Sequence, residues 1–137
     1  MDPADSVMYL NLMAACNYEL VDMTDEMLLA VSKLPWEITH LEAAQWITCM
    51  SGFAFTKGNV PASITQAYKT AAQYSRVRAQ IKSAENGIET VRASNIPGID
   101  LTATEELLKN LEGELTTLSP RVKGYYLLLS HPSLLRK

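Results

Sequence analysis

The sequence predicts an all-α protein in which short amino-terminal helices pack on a long antiparallel helical hairpin of coiled-coil type. Three observations carry this expectation. Strand-like alternation is almost absent. Helix-capping signals precede several apolar-periodic stretches. Between Tyr74 and Leu129 the apolar residues recur at alternating steps of three and four, on both sides of a break at Pro97-Gly98.

Taken in order, Asp2-Pro3 has the chemistry of a helix cap and first turn. After it, Val7, Leu10, Ala14 and Tyr18 hold one face, while Met8, Leu12, Met13 and Cys16 fill the others. A helix apolar nearly all round is buried or covered by a partner. Thr24-Asp25-Glu26 opens a second, short helix through Leu34, its carboxylates at the positive end of the helix dipole, and Pro35 stops it. Thr39 and Glu42 have capping-box spacing for a third helix over Leu41, Ala44, Ile47 and Met50, with Gly52 as its expected end. "GFAFTKGNVP", Gly52 to Pro61, reads as an irregular connector with the rings of Phe53 and Phe55 tucked under the helices.

The regular pattern follows. Tyr74, Val77, Ile81, Ala84, Ile88 and Val91 form one stripe, and Leu108, Leu111, Leu115, Leu118, Val122 and Tyr125 form another. Thr102 and Glu105 have the spacing of a further capping box. Ile88 with Leu111, Ile81 with Leu118 and Tyr74 with Tyr125 each lie equidistant from a centre between Ile99 and Asp100. Two heptad stripes related in this way make an antiparallel seam. Pro120 interrupts the second arm, where Ser119-Pro120 suits a kink or a restarted helix. The expected organisation is an acidic, Met-rich helical region over 1–61, a hairpin over 62–130 with its tip near 94–101, and a tail over 131–137, all within one compact domain. One seam leaves Tyr68, Leu107, Tyr126, Leu127 and Leu128 to be covered by the amino-terminal helices or by other subunits.

Composition fits a globular chain: 137 residues, 47% apolar and 20% charged. No apolar run approaches the ~20 residues of a membrane span, and Asp2 and Asp5 stand where a secretory signal would be basic. A soluble location, intracellular or within a particle, is expected, without a recognisable secretion signal. Cys16 and Cys49 read as buried free thiols. The formal charge of -3 conceals an asymmetry. Up to Thr56 there are eight carboxylates and one base, Lys33; from Lys57 onward eleven bases oppose seven acids. Such a dipole can act within one fold or between copies.

Sites of chemistry are scarce. His40 and His131 are isolated, neither cysteine belongs to a C-x-x-C pair, and no glycine cluster could cradle a phosphate. Glu105-Glu106 and Glu112–Glu114 read as a solvated helix face. The expectation is therefore a non-enzyme with no catalytic residue, metal or cofactor. Lys69, Arg76, Arg78 and Lys82, beside Tyr68 and Tyr74, are a candidate nucleic-acid patch. Met8, Leu12, Trp36, Trp46, Leu134 and Leu135 are candidate protein contacts, and the final leucines with Arg136 and Lys137 have the make-up of a docking peptide.

The layout resembles that of small all-helical assembly proteins, such as virion or secretion-machine components. The functional expectation is a structural subunit that self-associates or docks into a larger assembly, with protein as its partner. The alternatives are a nucleic-acid-binding or DNA-packaging accessory using the basic patch, and a small helical regulator or inhibitor of a protein partner.

Overall fold

A computed structural model describes residues 23–56 and 62–131. They form α1 (Asp25–Ser32), α2 (His40–Thr56), α3 (Ala62–Ser94) and α4 (Thr102–Ser130), and no strand occurs among them. The protein is all-α, as its sequence predicts. The helix expected before Thr24, and residues 57–61 of the connector, lie outside the described residues.

α1 starts where its chemistry dictates. The Oγ1 of Thr24 accepts a hydrogen bond from the Met27 backbone N–H at 3.3 Å, and Asp25 and Glu26 fill the first turn. Its close is tight: Lys33 donates to Ala30 O at 3.3 Å and Leu34 to Val31 O at 3.1 Å. Pro35 follows, and the chain has left the helix. The Nζ of Lys123 then donates to Leu34 O at 2.6 Å, satisfying a carbonyl freed at the end of α1.

α2 overruns its expected end. Gly52 does not terminate it; the helix continues to Thr56, through the stretch read as a connector. An interior glycine costs only about 1 kcal/mol relative to alanine. Burial of Ala43, Ala44, Ile47 and Met50 just upstream outweighs that penalty. The ring of Phe55 is not tucked away either. It is 37% exposed and meets Tyr68 edge-on, with centroids 5.2 Å apart.

α2 packs against α3 and, less extensively, α4; α1 packs against α4; α3 packs against α4. Their buried residues form one core, including Leu28 and Val31 of α1, Ile47 of α2, Ile64, Ala71, Val77 and Ile81 of α3, and Leu118, Val122, Tyr125 and Leu128 of α4. Leu127 and Leu128 are buried, and Tyr126 is partly so. The short helices therefore cover much of the apolar surface left outside the expected seam. Toward the end of α3 and the start of α4 this cover stops. From Lys82 to Asn110 only Ile88 is buried.

The link from α3 to α4 uses two left-handed residues. Asn95, with φ 50°, follows the last turn of α3 and donates to Arg92 O at 3.2 Å; Gly98 has φ 86°. The expected Thr102–Glu105 capping box does not form. Instead Asp100 Oδ1 accepts from the Thr102 N–H at 2.9 Å, and Glu105 pairs with Arg92 at 3.0 Å. Asp100 sits two residues before the N–H it receives, the local geometry in which a short carboxylate competes best. Its carboxyl is held below the usual aspartate range, chiefly by the Thr102 side-chain and backbone hydrogen bonds.

Pro120 does not restart the second arm. α4 is a single helix through it, with the Ser119 hydroxyl donating to Leu115 O at 2.9 Å. Burial of Leu118 and Val122 on either side holds the helix across the lost backbone donor.

The strict register expected of the long helices does not run their whole length. Arg92 and Glu105 meet within a turn of it. Farther along, Gln73 Nε2 donates to Glu114 Oε1 at 2.8 Å. Equidistance from the Ile99-Asp100 centre would set Gln73 opposite Tyr126, about 18 Å along the axis from Glu114 at ~1.5 Å per residue. Two side chains span only part of that. α2 also packs on both long helices and α1 on α4.

Candidate functional site

Among the described residues, a concave surface lies between the start of α2 and the second half of α4. A cavity of about 380 Å³ is lined by Glu37, Ile38, Thr39, Glu42, Ala43, Trp46 and Tyr126. The run after Pro35, before α2 begins, supplies Glu37 and Ile38. The first turns of α2 supply Glu42, Ala43 and Trp46, on neighbouring positions of one helical face. α4 supplies Tyr126. The two rings stand edge-to-face, 5.8 Å between centroids and 86° between planes, the arrangement that aromatic quadrupoles favour. Glu37 and Glu42 are exposed, and neither has a hydrogen-bond or ion-pair partner among the described residues. The Nε1 of Trp46 is buried and meets no acceptor there.

Beside this cavity His40 is half-buried against Tyr74, ring centroids 6.4 Å apart. Burial, and then the charge of Lys123, holds its imidazole below the ordinary histidine value. Trp36 is 42% exposed and lies 5.1 Å from the ring of His131, whose Nδ1 is 2.9 Å from the Ser130 hydroxyl. Trp36 and Trp46, paired in sequence as candidate partner contacts, thus take different roles. Trp46 walls the cavity, and Trp36 stacks on the end of α4.

A second surface is the link between the long helices. Ile96 is 55% exposed, Ile99 45%, and Leu107, one and a half turns into α4, 53%. Leu29 of α1, at 57%, is the other strongly exposed aliphatic residue among the described ones and borders a separate groove with Pro120 and Arg121.

The expected seam residues fall into two groups. Tyr74, Val77, Ile81, Ile88, Leu111, Leu118, Val122 and Tyr125 are buried; Ala84, Val91, Leu108 and Leu115 are half-buried. The phenol of Tyr125 is pushed up by burial, opposed by the Arg121 guanidinium. Arg121 also pairs with Asp25 at 3.2 Å, one link between the acidic and basic parts of the chain.

Lys69, Arg76, Arg78 and Lys82 are all exposed on α3. At ~100° per residue, however, Lys69 and Arg76 share one side of the helix, and Arg78 and Lys82 point roughly the opposite way. Tyr74, the expected stacking ring, is buried, and Tyr68 is engaged by Phe55. These residues do not converge on one basic and aromatic surface. Cys49, expected to be buried, is an exposed free thiol. Met8, Leu12, Cys16, Leu134 and Leu135 lie outside the described residues.

Among the described residues no group of three His, Cys, Asp or Glu side chains is placed to hold a metal ion. Among the described residues no helix is long and apolar enough to cross a membrane. The described residues define an all-α protein with an acidic, aromatic-walled cavity and an apolar turn between its long helices. Comparisons with protein-family models, with curated proteins and with solved structures find no match for this chain.

Proposed function

We propose that the chain is a non-enzymatic assembly subunit, which self-associates or docks into a larger protein complex through the turn between its two long helices. In this reading α3 and α4 act as an antiparallel, coiled-coil-like hairpin, offset in register where α1 and α2 bind. The outer part of the hairpin is a spacer that carries the turn away from the core. The observation that carries the proposal is the exposure of Ile96 and Ile99 on either side of Pro97-Gly98, with Leu107 close by in sequence. Two large aliphatic side chains at a loop tip contribute nothing to the core. Burying them in a partner would contribute about 1.5–3 kcal/mol each. The Arg92–Glu105 pair and the burial of Ile88 and Leu111 support a turn held by an ordered stem.

The test is native mass by sedimentation, for the wild-type chain and for an Ile96→Ser/Ile99→Ser variant, alone and with extract. The expected result is a concentration-dependent or partner-dependent mass that the variant loses while keeping its helical circular dichroism. A monomer at high micromolar concentration that retains no partner refutes the proposal.

A further inference from the structure

We infer that the cavity walled by Trp46 and Tyr126 recognises an organic cation, a guanidinium or alkylammonium group of the kind an arginine or lysine side chain presents. The inference stands on different residues from the assembly reading, and either can fail without the other.

Charge is the first argument. Glu37 and Glu42 line the cavity, no basic side chain does, and neither carboxylate is used elsewhere among the described residues. Lys123, whose charge reaches His40 at the start of α2, donates to Leu34 O, 2.6 Å away, and pairs with neither glutamate. The second argument is the rings. Trp46 and Tyr126 both line the cavity and meet nearly at right angles. An aromatic face attracts a cation through its quadrupole, more strongly when the cation is partly desolvated, and tryptophan is the best of the aromatic side chains at this. Carboxylates beside such a face supply the long-range attraction and the hydrogen-bond acceptors for N–H donors. The third argument is size. At about 380 Å³ the cavity falls within the range of small-ligand pockets. It accommodates a guanidinium with its alkyl stem against Ile38 and Ala43.

The experiment uses the full chain carrying Trp36→Phe, which leaves Trp46 as the single tryptophan reporter. Its fluorescence is titrated at fixed ionic strength with an acetyl-Gly-Arg-Gly-amide peptide, with the same peptide carrying neutral citrulline, and with tetramethylammonium chloride. Saturable binding of the arginyl peptide at about millimolar affinity, absent for the citrullyl peptide, is the expected result. It should weaken about fivefold or more in Glu37→Gln/Glu42→Gln. Both glutamates are exposed and unpaired, so that variant keeps its fold, as circular dichroism will verify. Saturation by tetramethylammonium but not by the peptide keeps the cation–ring attraction and assigns the site to a small free organic cation. An equal response to the citrullyl peptide, a response that sodium chloride reproduces, or no loss in the glutamine variant overturns the inference.

Discussion

Gly124 offers the sharpest test of how the helices are put together. It lies buried in α4, where α1 crosses it. A Cβ built on Gly124 would stand 2.8 Å from the Leu28 carbonyl oxygen, 3.0 Å from its Cα and 3.0 Å from its Cδ2. Ordinary contact between such atoms is about 3.5–4.0 Å, and two of the three belong to backbone, which cannot rotate aside. Gly124→Ala must push α1 outward by several tenths of an ångström, loosening Leu28, which is only 2% exposed, and Val31. Overpacking of this kind costs about 1–3 kcal/mol. Against it stands the gain of about 0.8–1.0 kcal/mol from replacing an interior helical glycine by alanine. The net expectation is a loss of up to about 2 kcal/mol. Gly113→Ala provides the internal standard. It lies in the same helix, its Cβ would meet nothing within 4 Å, and only the propensity gain applies, about 0.5–1 kcal/mol of stabilisation. The two variants should therefore differ by about 1–3 kcal/mol in opposite directions from wild type. Urea denaturation followed by far-ultraviolet circular dichroism measures this, with unchanged m-values confirming the same unfolding reaction. If Gly124→Ala were as stabilising as Gly113→Ala, α1 would not lie against α4 at this point, and the packing argument would fail.

Two further predictions follow from α1 and α2. Thr24→Ala removes the cap of α1 and should cost about 1 kcal/mol, with amide exchange quickening in α1 while the protected amides of α3 hold; Thr24→Ser should restore most of it, and unchanged exchange in α1 would refute the cap. His40 makes stability pH-dependent. Because burial and Lys123 lower its folded pKa, the unfolded chain takes up this proton first as the pH falls. The contribution is intact above the ordinary value of 6.5, and is lost as the pH descends from there through the lowered folded value. Thermal melts across that window should show the decline in wild type and a flatter profile in His40→Gln; equal slopes would refute the assignment.

Where local chemistry decided the outcome, the residues were readable in advance. Thr24, Asp25, Glu26 and Pro35 bracket α1 because caps, dipoles and a missing N–H act over one turn. The buried and half-buried stripes on α3 and α4 follow from a period of three and four. The errors arose where two local signals competed or where burial outweighed a local cost. Thr102 and Glu105 have capping-box spacing, yet Asp100 takes the Thr102 N–H and Glu105 turns to Arg92. Gly52 looked like a stop and Pro120 like a kink or restart, yet the helix runs through each, flanked by buried neighbours.

The candidate cavity was not legible at all, since Trp46 and Tyr126 are far apart in sequence and nothing local announces that they meet. The glycines make the same point. Gly113 and Gly124 are alike as letters in one helix, and only the approach of Leu28 leaves no room for a side chain at one of them. From its sequence alone this protein was bound to be helical, with apolar stripes along two long arms and a turn at Pro97-Gly98, because those features depend on neighbours within a few residues. Which register the arms adopt, which glycine another helix presses on and which rings wall a cavity were decided by tertiary packing, because those depend on the balance of contacts among all four helices at once.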